Sequence, residues 1–161
     1  MEPARKGRQE SHGAAMSFTN LAYHIVFSTK DRRPFLPRER RERVAGYIGG
    51  IVRELGGQML AADGGEDHLH VVAIASPKVA ISDLLRDMKA DSSRWIHQTF
   101  EDMGTFGWQD EYAAFTVSKS ALPKVIAYVR SQEEHHRKMS FRDELIALLK
   151  RHEIAYDERY I

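Results

Sequence analysis

A chain of 161 residues, 42% of them hydrophobic, is long enough for one compact domain with a real core and short for two. It has no cysteine, which excludes disulfides and thiolate metal centres and leaves His, carboxylate and amide groups as the available ligands. No apolar run approaches the ~20 residues of a membrane span, and no signal-peptide core follows the basic N-terminal residues, so a soluble, cytoplasmic protein is expected. The net charge of +1 hides a basic patch over residues 30–43, where Lys30, Arg32, Arg33, Arg38, Arg40, Arg41 and Arg43 face only Asp31, Glu39 and Glu42. Such a patch suits phosphate groups, and it equally suits a solvated helix face with mixed ion pairs.

Residues 1–15 are polar and without periodicity, which predicts a disordered extension, with Met16 as an alternative start and residues 16–161 as a single domain. Residues 20–29, NLAYHIVFST, are rich in β-branched and aromatic side chains and predict a strand apolar on both faces. After Pro37, apolar positions from Val44 to Leu55 recur at helical spacing and stop at Gly56-Gly57. A short strand over residues 58–62, a turn at Asp63-Gly64-Gly65 and a strand over residues 68–75 form a predicted hairpin. A second amphipathic helix runs from Ile81 towards Phe100, with Asp91-Ser92-Ser93 as a polar weak point. A fourth strand is predicted over residues 111–118. The order strand, helix, strand, strand, helix, strand is the ferredoxin-like βαββαβ arrangement, an α+β fold with an antiparallel sheet and helices on one face. Two C-terminal helices follow, one capped by Ser120 with Pro123 in its first turn, the other by Ser140 with Asp143 in the capping-box position. The last residues, AYDERYI, predict a packed or partner-binding tail.

The motif DHLHVVAI sets His68 and His70 two residues apart on a strand, so both imidazoles project from one face while Leu69 and Val71 project from the other. Two ring nitrogens suit a divalent cation but are too few for a stable site. Taken alone, the pair is better explained by one histidine bonded within the hairpin beside an exposed one. Sixty residues on, Tyr128 and Gln132 are four apart and share a helix face. The Gln132 carbonyl can complete the site with a hard oxygen of the kind Mg²⁺ or Mn²⁺ accepts, and Tyr128 can act as a covalent nucleophile beside it. Against this stands the plain reading of Tyr128 as a core residue packed with Val125 and Val129.

The ordered set YHIVFSTKDRRPFL, DHLHVVAI, WQDEYAAFTVS and YVRSQEEHHRKMSF resembles the HUH single-strand DNA transposases with one catalytic tyrosine, the insertion-sequence 200/605 type that includes the REP-associated tyrosine transposases. The resemblance runs from Ser17 to the C-terminus. It implies a ferredoxin-like sheet with a tyrosine-bearing helix, Mg²⁺ or Mn²⁺ held by His68, His70 and Gln132, and attack by Tyr128 on a phosphate of single-stranded hairpin DNA to leave a 5′-phosphotyrosine and a 3′-hydroxyl. It also implies a homodimer in which the tyrosine helix is exchanged between chains, although some members act as monomers. Lys30, Arg32 and Arg33 are candidate phosphate contacts. His136, with His135, could support the metal or phosphate, against a solvated helix end where cations suit the dipole. His24 reads as a satisfied sheet histidine, Trp95 as core rather than a base-stacking platform, with Trp108 free to do either. Asp67 and Glu66 either orient a histidine or form the turn. The competing functions are a replication or relaxase-type endonuclease with the same chemistry, a transposase repurposed to bind hairpins, and a ferredoxin-like nucleic-acid-binding module without catalysis.

Overall fold

The computed structural model describes residues 17–161, so the extension expected over residues 1–15 and the alternative start at Met16 lie outside the described residues. Strands β1 (Ala22–Ser28), β2 (Gln58–Gly64), β3 (His68–Ile74) and β4 (Ala113–Thr116) form an antiparallel sheet in the order β2-β3-β1-β4. Helices α1 (Arg38–Glu54) and α2 (Ile81–Thr99) fall between β1 and β2 and between β3 and β4. This is the α+β, ferredoxin-like order expected from the sequence. Three further helices follow: α3 (Leu122–Arg130), a single turn α4 (Gln132–His135), and α5 (Phe141–Arg151).

The side-chain alternation of β3 divides the molecule into two interfaces. Leu69, Val71 and Ala73 join Ile25 and Phe27 of β1 under α1 and α2, packed against Val44, Ile48, Leu85 and Met88. On the opposite face, Ala22 and Val72 pack against Leu122 and Val129 of α3, and Val26 and Phe115 pack against Phe141, Leu148 and Leu149 of α5. The sheet is thus covered on both sides, which is why β1 and β3 read as nearly unbroken apolar runs. His24, His68 and His70 share the face that α3 to α5 close, so they are buried between layers.

Several local expectations shift. Asp63 and Gly64 belong to β2, and the chain reverses over residues 65–67. The fourth strand is shorter than expected, and α2 runs unbroken through residues 91–93. There the buried Ser92 hydroxyl donates to the Lys89 carbonyl (3.3 Å) and accepts from the Trp108 indole N–H (2.9 Å), so the polar position is a hydrogen-bonded core site. Trp108 packs edge-on to Phe27, and Trp95 stacks on Tyr47 of α1, so both tryptophans belong to the layer away from the histidines. Ser120 does not cap α3, because the helix begins two residues later and Ala121 takes the cap position. Ser140 does cap α5, accepting from the Asp143 N–H at 3.1 Å. Tyr156 and Ile161 of the tail pack on the α5 cluster. No helix among the described residues is long and apolar enough to cross a membrane.

Gly64 fixes the approach of β2 to the first histidine. A Cβ there would stand 2.2 Å from the His68 carbonyl oxygen and 2.9 Å from the Leu69 Cα, both backbone atoms that cannot swing aside. Gly64→Ala is expected to cost about 1–3 kcal/mol, as overpacking does, read as a lowered denaturation midpoint in urea. An unchanged midpoint would refute the close contact.

A candidate metal and nucleophile site

His68 and His70 are fully buried on one face of β3, as the two-residue spacing requires. The His68 Nδ1 donates to the Asp67 carboxylate at 2.7 Å, which leaves its Nε2 lone pair facing the interior. The pair His24 and His70 lie diagonally across β1 and β3 with their rings stacked, and His24 Nε2 is 2.8 Å from His70 Nδ1. His24 is the satisfied sheet histidine expected, and its partner is His70. On the covering layer, α3 ends at Arg130 and Ser131 breaks the helix before α4. Tyr128 and Gln132 therefore sit on consecutive helices, yet both reach the same acceptor.

That acceptor is Glu144 of α5, a residue the motif-based reading missed. Its side chain is 1% exposed. Glu144 Oε1 lies 2.8 Å from His70 Nε2, 3.1 Å from His136 Nε2 and 3.7 Å from His68 Nε2. Glu144 Oε2 accepts from the Tyr128 hydroxyl and, at 3.0 Å, from the Gln132 amide. One signal for it was present in the sequence. Glu144 is three residues after Phe141 and four before Leu148, so it lies on the apolar stripe of α5, where an unpartnered carboxylate would be costly.

Burial alone would push the Glu144 carboxyl up, but hydrogen bonds from His136 and His70, the His70 charge and the Tyr128 hydroxyl outweigh it and hold the group well below the usual carboxylate range. Burial takes His70 down to about 4 against the pull of Glu144, and burial with the neighbouring His70 takes His24 down to about 3. His136 moves up: burial opposes the shift, and the Glu144 carboxylate and the Met139 carbonyl overcome it. The Tyr128 phenol is raised by burial and by the adjacent carboxylate.

The donors fit a divalent cation. His136 Nδ1 is 2.9 Å from the Met139 carbonyl, to which it can only donate, so its Nε2 presents a lone pair unless the ring is protonated. That Nε2 faces Gln132 Oε1 at 2.9 Å and Glu144 Oε1 at 3.1 Å, and His68 Nε2 faces the same Gln132 oxygen at 3.3 Å. The Gln132 amide nitrogen is committed to Glu144, which fixes its oxygen towards the histidines. The His68 Nε2 lone pair and the Gln132 oxygen therefore face each other as two acceptors. Ligand atoms of His68, His70, His136 and Glu144 all lie within 4.8 Å of one another, and imidazole, amide and carboxylate together suit a divalent ion.

The remaining predicted residues divide. His136 stands inside the cluster rather than at a solvated helix end, while His135 is half-buried with its ring 5.0 Å from Tyr128. Asp67 holds His68, whereas Glu66 contributes its backbone carbonyl to the Leu36 N–H. Arg32 lies over the Phe141 ring (5.1 Å), and Phe141 stacks on His68 (4.3 Å), so Arg32 borders the cluster. Lys30 and Arg33 are exposed on the same turn. Arg41 leaves the basic patch altogether. It is buried, donating to Asp63 of β2 (2.8 Å), Glu133 of α4 (2.9 Å) and the Leu36 carbonyl (3.2 Å). Arg41 fastens the turn that carries Gln132 to the sheet.

Comparison with known proteins adds the decisive observation: a family described as "Transposase IS200 like" matches residues 17–132. The chain belongs to the IS200-like transposase family. Relatives include the ISDra2 transposase TnpA of Deinococcus radiodurans, 24% identical over 71% of this chain and 85% of that protein. The transposase for insertion sequence element IS200 of Salmonella typhimurium is 28% identical over 73% of this chain and 80% of the relative. Among solved structures, a Deinococcus radiodurans R1 transposase superposes with a TM-score of 0.60 at 24% identity, covering 80% of this chain and 98% of that one. A REP-associated tyrosine transposase bound to a REP hairpin superposes at 0.56 with 12% identity, covering 84% and 74%. At these identities the structures speak for a shared fold. An IS200-like transposase is an enzyme of DNA transposition, and the family range closes on Gln132, short of His136 and Glu144.

The histidine environment predicts a pH response. His24 and His70 titrate below the ordinary 6.5, so the unfolded chain takes up protons before the folded one as pH falls. Their contribution to stability is whole above 6.5 and is lost as pH falls through about 4 and then about 3. His136, shifted upward, works the other way and favours the fold below its ordinary value. With EDTA present, the melting temperature should drop from pH 6.5 to pH 4. A flat profile over that interval would contradict buried, neutral His24 and His70.

Proposed function

We propose that this IS200-like transposase cleaves and rejoins single-stranded DNA at hairpins, with Tyr128 as the nucleophile and His68, His70 and Gln132 as ligands of Mg²⁺ or Mn²⁺. Family membership supports the reaction class, and the carrying observation is that the Tyr128 hydroxyl and the His70 imidazole bond opposite oxygens of one buried carboxylate. When bound, the cation polarises the scissile phosphate and offsets the charge that develops on it.

The chain's own residues account for the remaining steps. The Tyr128 hydroxyl gives up its proton as its oxygen attacks phosphorus, the bond to the 3′-oxygen breaks, and the leaving oxygen takes up one proton in return to become a 3′-hydroxyl. The phosphodiester energy stays in the 5′-phosphotyrosine link, so no nucleotide is consumed, and a 3′-hydroxyl attacking that link rejoins the strands. His24 and Asp67 hold His70 and His68 in the rotamers that aim Nε2 inward. Lys30, Arg32 and Arg33 receive backbone phosphates at the edge of the cluster. The neighbour bound to a REP hairpin supports the hairpin as ligand. In this reading Tyr128 serves the site of its own chain, which its bond to Glu144 supports, and a homodimer would bring two such sites to the two ends of an element.

Incubation with labelled single-stranded hairpin DNA from the flanks of its own gene, with Mn²⁺, should give a denaturant-resistant adduct. Tyr128→Phe abolishes the adduct, and His70→Ala keeps hairpin binding while losing cleavage. An adduct that survives Tyr128→Phe would sink the mechanism, and loss of folding in His70→Ala would make that histidine structural.

A further inference from the structure

We infer that Glu144 is the anionic ligand of the metal position and, through its second oxygen, the group that holds Tyr128 beside it. The inference rests on the reading of His68 and His70 as ligands and extends it to a residue outside the matched family range. The geometry of the carboxylate is two-sided. Oε1 stands among three imidazole nitrogens, at 2.8, 3.1 and 3.7 Å, while Oε2 takes the Tyr128 hydroxyl and the Gln132 amide. One planar group therefore spans the ligand cluster and the nucleophile, and fixes the separation between them.

Charge argues the same way. Neutral imidazoles and an amide would leave a divalent ion with its full charge in a buried site, which is expensive. Glu144 is the one carboxylate among the clustered ligand groups, and Asp67 acts only through His68 Nδ1. The start of α5 sets the position: Ser140 caps the helix, Phe141 stacks on His68 at 4.3 Å, and Glu144 follows one turn later on the same face.

The full chain is titrated with Mn²⁺, the free ion being followed by its electron paramagnetic resonance signal, alongside melting curves taken in EDTA. Wild type binds, and His70→Ala binds more weakly. Glu144→Gln, equal in shape and lacking the charge, is expected to weaken binding by at least about tenfold and to lose the stabilisation that Mn²⁺ gives the wild type. Should Glu144→Gln bind as tightly as wild type while His70→Ala does not, the role of Glu144 is overturned and the histidine site stands. Absence of Mn²⁺ binding by wild type, or wild-type binding by His70→Ala, overturns the metal reading itself and this inference with it. A second measurement needs no variant. Electron–nuclear double resonance on Mn²⁺-loaded wild type carrying glutamate labelled with ¹³C at the side-chain carboxyl should show the coupling of a carboxyl carbon whose oxygen binds the ion, and its absence overturns the assignment.

Discussion

A charge buried at 1% exposure has to be surrounded, and the C-terminal half of this protein is arranged around that requirement. Glu144 collects bonds from His70 of β3, Tyr128 of α3, Gln132 of α4 and His136 just beyond α4. Removing any one partner leaves the carboxylate less compensated, so the four positions are energetically coupled. The layer that closes over the sheet is held at its centre by polar contacts and at its margins by apolar clusters around Val72 and Val26.

The two faces of the sheet consequently do different work. Under α1 and α2 lies a large apolar core, with both tryptophans in or against it. On the other face the core is divided, and the histidine cluster lies between its parts. Arg41 links the layers: it leaves α1, bonds Asp63 on β2 and continues to Glu133 on α4. The rigid layer thereby steadies the single turn that carries Gln132. Arg32, resting on Phe141, brings a further cation to the rim of the site.

The sequence by itself determined the order of elements, because period-two and helical apolar patterns are local properties that neighbouring residues impose on each other. It also determined that His68 and His70 share a face, since strand alternation admits no other outcome, and that Tyr128 and Gln132 lie near one another. The ordered motifs were enough to point to the family. Boundaries were less legible. Ser120 and the 63–65 turn were misplaced by one or two residues because caps and turns depend on where packing stops a segment.

Only the tertiary structure decided what the histidines meet. Glu144 carries no motif, and its partners are 8 to 74 residues away along the chain, so nothing local marks it except a carboxylate on an apolar stripe. The burial of Arg41 and the choice between the two readings of His136 were out of reach for the same reason. Each is a charged or titratable residue in a polar stretch, and such a stretch looks solvated until the fold brings another layer against it. Local pattern specifies which way a side chain points, while the identity of its partner follows from how the layers close.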